Sequence, residues 1–225
     1  MTTPLVRFQA ALRELPLIAI LRGLTPAEAP AIGDVLVDAG FRLLEVPLNS
    51  PSPLDSIALL RKRFPQVLVG AGTVLTAPEV GEVASAGGEL VVAPNFDREV
   101  VVETVRRGMV SVPGIMTPTE AFAALAAGAH GLKLFPAELA SPAVVKAMLA
   151  VLPRDTPLIP VGGIGAGNLR EWGAGGQPAL AWARRSIGRA TTRPRCGQKP
   201  RRSWRRTGHE NGPAPGGAGP LCIRL

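Results

Sequence analysis

Short apolar runs recur between residues 17 and 164 at a nearly constant spacing, and this spacing restricts the fold more than any other feature. Their first residues lie 25, 25, 23, 19, 22 and 27 positions apart. Each run is too short for a helix and rich in Val, Ile and Leu, which is typical of a strand covered on both faces. The seven runs span residues 17–22, 42–48, 67–74, 90–94, 109–113, 131–135 and 158–164.

Helix-start signals lie between these runs. Thr25, Thr76 and Thr117 each stand shortly before a proline and a glutamate, and Ser141 directly precedes Pro142. A hydroxyl cap, a first-turn proline and an early acidic residue together mark a helix N-terminus. Asp97 is a further cap candidate. The chain therefore alternates strand and helix.

Strand–helix units of this length require parallel pairing with right-handed crossovers. Seven such units favour an α/β fold of the (β/α)8 TIM-barrel type, for which about 200–250 residues is typical. The alternative is an open, doubly wound sheet. That fold usually carries a phosphate-binding glycine loop after its first strand, and Leu21-Arg22-Gly23-Leu24 is not such a loop.

Charge and composition change near residue 172. The chain is 46% hydrophobic and carries a formal net charge of +8. Residues 1–172 hold 14 basic and 16 acidic side chains, whereas residues 173–225 hold 11 basic and one acidic. The division predicts a mildly acidic barrel over 1–172 and a disordered, basic tail rich in Gly, Pro and Arg over 173–225. Nucleic acid is not expected to bind the barrel.

Lys133 is the most informative single residue. It lies inside the apolar strand Gly-Leu-Lys-Leu-Phe, whereas Lys62 and Lys146 lie on helical segments with surface spacing. Burial lowers the pKa of an amine, and a neutral amine can condense with a ketone to form a Schiff base. The protonated imine then stabilises the carbanion left when a neighbouring carbon–carbon bond breaks. A purely structural ion pair is the alternative interpretation.

Glu45 is the natural partner of Lys133. It also lies in mid-strand, between Leu44 and Val46. If these two neighbours face the helices, Glu45 faces the barrel interior. A carboxylate beside the imine can move protons, and it can also serve only as a counter-ion.

Other candidate residues stand at the predicted carboxyl ends of the strands, where barrel enzymes carry their chemistry. Arg22 could bind a carboxylate in a fork. Thr73 follows a Gly-Ala-Gly turn that lets a ligand approach the backbone. The Gly162-Gly163 pair offers bare amides suited to a phosphate. A solvated arginine and plain tight turns remain the alternatives.

Five motifs, in this order and spacing, resemble the class I 2-keto-3-deoxy-6-phosphosugar-acid aldolases. The resemblance extends from about residue 15 to residue 172. The motifs are Ile18-Ala19-Ile20-Leu21-Arg22-Gly23, Glu45-Val46-Pro47-Leu48-Asn49-Ser50, Gly70-Ala71-Gly72-Thr73-Val74, Lys133-Leu134-Phe135-Pro136 and Val161-Gly162-Gly163-Ile164.

The resemblance implies a metal-free, cofactor-free enzyme, usually a homotrimer, that cleaves a phosphorylated keto-deoxy sugar acid. It implies Lys133 as the Schiff-base lysine and Glu45 as the general acid/base. The pyruvate pocket would be lined by Arg22, Thr73, Pro94 and Phe135, and Gly162 and Gly163 would hold the phosphate.

The segment after Glu45 is similar to the phosphogalactonate branch of the family, because Asn49 stands where the phosphogluconate branch tends to carry arginine. The expected substrate is therefore 2-dehydro-3-deoxy-6-phospho-D-galactonate, cleaved to pyruvate and D-glyceraldehyde 3-phosphate. The alternatives are the phosphogluconate and 4-hydroxy-2-oxoglutarate aldolase activities, or an inactive barrel remnant. A cytoplasmic location without membrane association is expected.

An eighth strand with a Gly-x-Gly-Ser-like end should follow residue 172, and the sequence there shows no such unit. We therefore expect the eighth strand–helix unit to be missing or replaced, which would leave two unpaired barrel edges and lower stability. A frameshift in a G/C-rich gene is our hypothesis for the tail. The alternative is a basic extension that binds nucleic acid through Trp182 and Trp204.

Overall fold

Strand and helix alternate in the structure as the sequence predicts. The computed structural model describes residues 2–165, 167–174 and 180–183. The strands are β1 (Leu17–Ile20), β2 (Leu43–Pro47), β3 (Leu68–Gly72), β4 (Leu90–Val92), β5 (Val110–Val112), β6 (Gly114–Ile115), β7 (Leu132–Leu134), β8 (Leu158–Pro160) and β9 (Leu180–Ala183). The helices are α1 (Pro4–Glu14), α2 (Ala29–Asp38), α3 (Pro53–Arg63), α4 (Ala77–Ser85), α5 (Arg98–Arg106), α6 (Pro118–Ala126), the 3-10 helix η1 (Ala137–Leu139), α7 (Pro142–Leu149) and α8 (Leu169–Ala174).

The strands form one closed, parallel ring. The first sheet has the order β5-β4-β3-β2-β1-β9, and the second has the order β6-β7-β8. Only Pro113 separates β5 from β6, so the two together fill the fifth strand position. At the other junction β9 contacts β8. The ring therefore has eight positions, which confirms the (β/α)8 TIM barrel.

The expectation that the barrel would have two unpaired edges is wrong, because a short strand fills the eighth position. Leu180–Ala183 pairs in parallel with the whole of β1, from Leu17↔Leu180 to Ile20↔Ala183. The edge of β1 is therefore paired, so there is no open edge at β1 to lower the stability of the barrel. The sequence gives little local indication of this strand, because it is four residues long, lies among Gly, Pro and Arg, and contains alanines of low strand propensity.

The rest of the tail is largely outside the described residues. Residues 175–179 and 184–225 belong to this part, as does the helix that would follow β9. The predicted boundary at 172/173, the predicted disorder and the nucleic-acid alternative stay predictions. The described residues all fall within one unit, Met1–Ile187.

Most helices begin at the residues that the sequence marked. Thr76 and Thr117 each form a full capping box, with Glu79 and Glu120 respectively. Ser141 and Asp97 accept hydrogen bonds from the first turns of α7 and α5. The start of α2 differs, because the Thr25 hydroxyl donates to Glu28 Oε2 at 2.6 Å in a separate turn and the helix begins at Ala29.

The barrel interior is apolar at one end and polar at the other. Phe8 of α1 is fully buried in a cluster with inward-facing residues on or directly after six strands: Ile18, Ile20, Leu43, Leu68, Leu90, Val92, Val110, Val112, Ile159 and Val161. The Phe8 ring lies near Gly131, which precedes β7. Helix α1 thus closes the amino-terminal end of the barrel and leaves the carboxyl end for the polar residues. No helix among the described residues is long and apolar enough to span a membrane.

Candidate active site

Lys133 points into the barrel interior. Its strand neighbours Leu132 and Leu134 belong to the outer apolar layer, where they pack with residues of α6 and α7. Since side chains alternate along a strand, Lys133 faces the opposite way. Only 7% of Lys133 is exposed. Its backbone N–H donates to the Pro113 carbonyl at 2.8 Å, which fixes the strand at the junction of β5 and β6.

Glu45 points into the same interior from β2. Leu43, two residues earlier on that strand, belongs to the interior cluster, so Glu45 shares its face. Glu45 is 2% exposed, and its Oε2 has no hydrogen-bond partner. A buried oxygen without a partner is costly, and it is free to exchange a proton with a bound molecule.

Gly72 provides the space that the Glu45 side chain occupies. A Cβ built on Gly72 would lie 1.8 Å from Glu45 Oε1 and 2.4 Å from its Cδ. Gly72 pairs with Pro47 in the register between β2 and β3, two positions beyond Glu45. The glycine therefore acts as a positioning residue for the carboxylate. The sequence alone indicates only a turn that a ligand can approach at Gly72, and this contact with Glu45 has no local signal.

The two titratable groups have opposite pKa shifts for the same reason. Burial raises the pKa of Glu45 above its usual value, against the opposing charges of Lys133 and Arg22. Burial lowers the pKa of Lys133; the charge of Glu45 opposes this shift and the charge of Arg22 adds to it. No hydrogen bond or ion pair joins Lys133 to Glu45, both of which are described residues. The site thus favours an uncharged amine facing a carboxyl group.

Arg22 and Phe135 lie beside this pair. Arg22 lies two residues after the end of β1, is exposed, and is near enough for its charge to act on both Lys133 and Glu45. The Phe135 ring centroid is 4.8 Å from Lys133 Nζ, a cation–π distance when the amine or its imine is protonated. The Gly23 N–H donates to Ser50 Oγ at 3.1 Å, which ties the end of β1 to the end of β2.

Thr73 and Pro94 follow the ends of β3 and β4, at the same end of the barrel. Thr73 adopts a positive φ of 58°, a conformation that costs energy for a β-branched residue and is concentrated at functional sites. The Pro94 carbonyl packs so closely on Gly114 that a Cβ there would lie 2.2 Å from it. Both residues are placed at the end of the barrel where the sequence predicted them.

Gly162 and Gly163 lie in the loop after β8. Both have positive φ, 111° and 64°. Asn168 fastens the loop, since its Nδ2 donates to the Gly163 carbonyl at 2.9 Å and its Oδ1 accepts from the Gly165 N–H at 2.8 Å. The carboxylate of Glu138 lies against both glycines. Sequence reasoning missed Glu138, and no local pattern marks it, because the contact depends on how η1 packs on this loop.

A metal centre is not formed by the described residues. Among them, no group of three or more His, Cys, Asp or Glu side chains is arranged to hold an ion. The ionisable residues of the site are a lysine, a glutamate and an arginine, a set that suits proton transfer and anion binding.

The chain resembles known proteins over most of its length. It is 48% identical to the 2-dehydro-3-deoxy-6-phosphogalactonate aldolase of Escherichia coli (strain K12) over 160 residues, 71% of this chain and 78% of that protein. It is 33% identical to a 2-dehydro-3-deoxy-phosphogluconate aldolase of Treponema pallidum (strain Nichols), over 71% of this chain and 75% of that protein. A solved structure described as "Native KDPGal structure" superposes with a TM-score of 0.73 at 45% identity, covering 75% of this chain and 82% of that one.

The barrel, the buried lysine–glutamate pair and these relatives define a class I aldolase, which is a carbon–carbon lyase. The family model "Aldolase: KDPG and KHG aldolase" matches residues 8–181. The chain belongs to this family. The match runs nine residues beyond the point at which the sequence analysis ended the resemblance, and it reaches into β9, in agreement with the strand pairing.

Proposed function

We propose that this protein cleaves 2-dehydro-3-deoxy-6-phospho-D-galactonate to pyruvate and D-glyceraldehyde 3-phosphate through a Schiff base on Lys133. The observation that carries the proposal is the pair of buried groups, Lys133 and Glu45, that face the same barrel interior. Lys133 points inward and its pKa is lowered by burial, so its uncharged amine can act as the nucleophile. Glu45 Oε2 has no hydrogen-bond partner, so it can accept and return a proton.

In the proposed reaction, Lys133 Nζ attacks the C2 carbonyl carbon and forms a carbinolamine, which loses water to give an iminium ion. Glu45 takes the proton of the C4 hydroxyl. The C3–C4 bond then breaks, its electron pair moves into an enamine, and the aldehyde leaves. Glu45 returns a proton to C3, and water hydrolyses the new iminium to release pyruvate and the free amine.

The remaining predicted residues are given roles in binding. Arg22 would pair with the substrate carboxylate, and Thr73 and Pro94 would line the pyruvate pocket. Phe135 would stack beside the iminium, whose positive charge suits an aromatic face. Gly162 and Gly163 would hold the phosphate with backbone N–H groups.

Covalent trapping tests the chemistry. Borohydride reduction in the presence of pyruvate should add a permanent label to Lys133, and Lys133→Met should prevent the labelling. Lys146→Met, which changes another lysine of the barrel, should label like the wild type. A label on Lys62 or Lys146 would refute the role of Lys133, and no label at all would favour the inactive remnant.

The stereochemical preference needs a separate assay. The 48% identity to a phosphogalactonate aldolase, against 33% to a phosphogluconate aldolase, supports the galactonate-derived substrate. Asn49, which is exposed and lies two residues after the end of β2, supports it as well. The purified protein should have the higher kcat/KM on the galactonate-derived phospho-keto acid. A higher value on the gluconate-derived acid, or on 4-hydroxy-2-oxoglutarate, would overturn this choice.

We also propose a cytoplasmic homotrimer that needs no metal or other cofactor. The trimer follows from the family resemblance, and the location follows from the substrate, since a phosphorylated acid does not cross an apolar membrane unaided. Light scattering should give three times the chain mass. Full activity after treatment with a chelator should confirm that no metal is used.

A further inference from the structure

The side chain of Glu138 lies on the two glycines of the β8–α8 loop. A Cβ on Gly162 would be 2.1 Å from Glu138 Oε2, and one on Gly163 would be 2.7 Å from Glu138 Cγ. The two positive φ values already disfavour side chains at these positions. The glycines therefore also make room for a carboxylate contributed by another segment.

A backbone hydrogen bond fixes this arrangement. The Ala137 N–H donates to the Val161 carbonyl at 2.8 Å, which holds η1 against the start of the loop. Ala137 is fully buried, whereas Glu138, the next residue, is exposed. The backbone of Glu138 is thus held in place, and its side chain is free to rotate into water.

No positively charged side chain in the part of the chain that the structure describes pairs with this carboxylate. Among the described residues, Glu138 forms no ion pair, and the Gly162 and Gly163 N–H groups donate to no acceptor. An anionic side chain therefore lies against two glycines whose N–H groups have no acceptor among the described residues. A second anion that approaches these donors would meet a like charge a few ångströms away.

We infer that Glu138 is a specificity-determining residue that weakens binding of the phosphate monoester end of substrate and product at Gly162 and Gly163. This inference rests on the proposed function, because it takes the phosphate to bind at these glycines. Glu138 rotates outward when phosphate binds, and its charge favours release of the phosphorylated aldehyde. In the dielectric of bulk water, which surrounds an exposed side chain, one like charge at about 4 Å corresponds to about a five-fold loss of affinity.

The inference is tested by neutralising this charge. Glu138→Gln and Glu138→Ala should each lower the KM for D-glyceraldehyde 3-phosphate in aldol addition to pyruvate by about five-fold. Each should also tighten inorganic phosphate binding by a similar factor, measured by titration calorimetry, which requires no turnover. The KM for unphosphorylated D-glyceraldehyde should stay unchanged. Glu14→Gln, an exposed residue at the other end of the barrel, should behave like the wild type.

Ionic strength separates a charge effect from a structural one. The difference between wild type and Glu138→Gln should shrink as salt screens the repulsion. Equal changes for both aldehydes, or weaker phosphate binding in the variants, would overturn the inference. If pyruvate trapping succeeds in the wild type while Glu138→Gln leaves phosphate affinity unchanged, this inference alone fails. If trapping itself fails, the proposed function fails, and the calorimetric result still decides the role of Glu138.

Discussion

Lys133 and Glu45 face each other across the barrel. Lys133 is on β7 in the sixth strand position and Glu45 is on β2 in the second, four positions away in a ring of eight. Each lies on the interior face, and neither forms an ion pair with the other among the described residues. The two strands therefore bring an amine and a carboxyl group to the same interior, where the charge of each acts on the pKa of the other.

The Lys133 amine should make folding less favourable. Its folded-state pKa lies below 10.5, so below that pH the unfolded chain binds the proton more readily than the native state. The destabilisation of the folded state by Lys133 grows as the pH falls from 10.5 toward the folded-state pKa, and it is constant below that pKa. Lys133→Met should therefore raise the free energy of unfolding near neutral pH by about 1–2 kcal/mol, measured by urea denaturation.

The matched control for that experiment is Lys62→Met, which changes an exposed lysine on α3. Its effect should stay within about 0.5 kcal/mol. If Lys133→Met instead lowered the free energy of unfolding, the charged amine would be stabilised by its contacts in the folded protein, and the prediction would be wrong.

Gly72→Ala should disable the carboxylate while leaving the amine intact. The new methyl group would overlap Glu45 Oε1, so the side chain must leave its position. The kcat should fall by about 100-fold or more, as expected for loss of a general acid/base. Pyruvate trapping on Lys133 should persist, which distinguishes a misplaced carboxylate from an unfolded protein.

Gly81→Ala is the matched control for Gly72→Ala. Gly81 lies within α4, and a Cβ there meets only the flexible end of Arg107, at 3.3 Å. This variant should keep full activity and gain about 0.5–1 kcal/mol of stability, since alanine is the better helix former. Full activity in Gly72→Ala would show that the carboxylate does not need its observed position.

Arg22→Gln should shift the pH profile upward. The positive charge of Arg22 lowers the pKa of both Lys133 and Glu45, so its removal should raise both. The acidic limb of kcat/KM reports the free amine and should move to higher pH. The shift should be larger at low salt because Arg22 is exposed. Arg13→Gln, in the last turn of α1, should leave the profile unchanged.

His130 should make stability depend on pH. Its neutral Nδ1 accepts the Ser111 N–H at 3.1 Å, and burial lowers its pKa below 6.5. The stabilisation by neutral His130 is complete above about pH 6.5. It is lost as the pH falls toward the folded-state pKa of His130, since the unfolded chain then binds the proton more readily than the folded one. His130→Ala should therefore cost about 1 kcal/mol at about pH 8 and less at about pH 5. An equal cost at both pH values would contradict this role.

The alternation of strand and helix could be predicted from the sequence because its causes are local. The caps at Thr76 and Thr117 need only the three residues that follow them, and the apolar runs need no knowledge of their partners. The inward directions of Lys133 and Glu45 could be predicted for the same reason, since a side chain's face follows from its place along the strand.

Other features could be identified only in the folded structure, because they depend on segments distant in the chain. Leu180–Ala183 has too little local strand signal, and it becomes a strand because β1 supplies its hydrogen-bond partners. Gly72 matters through a carboxylate 27 positions earlier, and Glu138 through two glycines 24 and 25 positions later. The sequence by itself determined the repeating units and the chemistry that they carry. Tertiary packing decided which units close the barrel and which side chains share a space, because those contacts form only when separate strands are brought together.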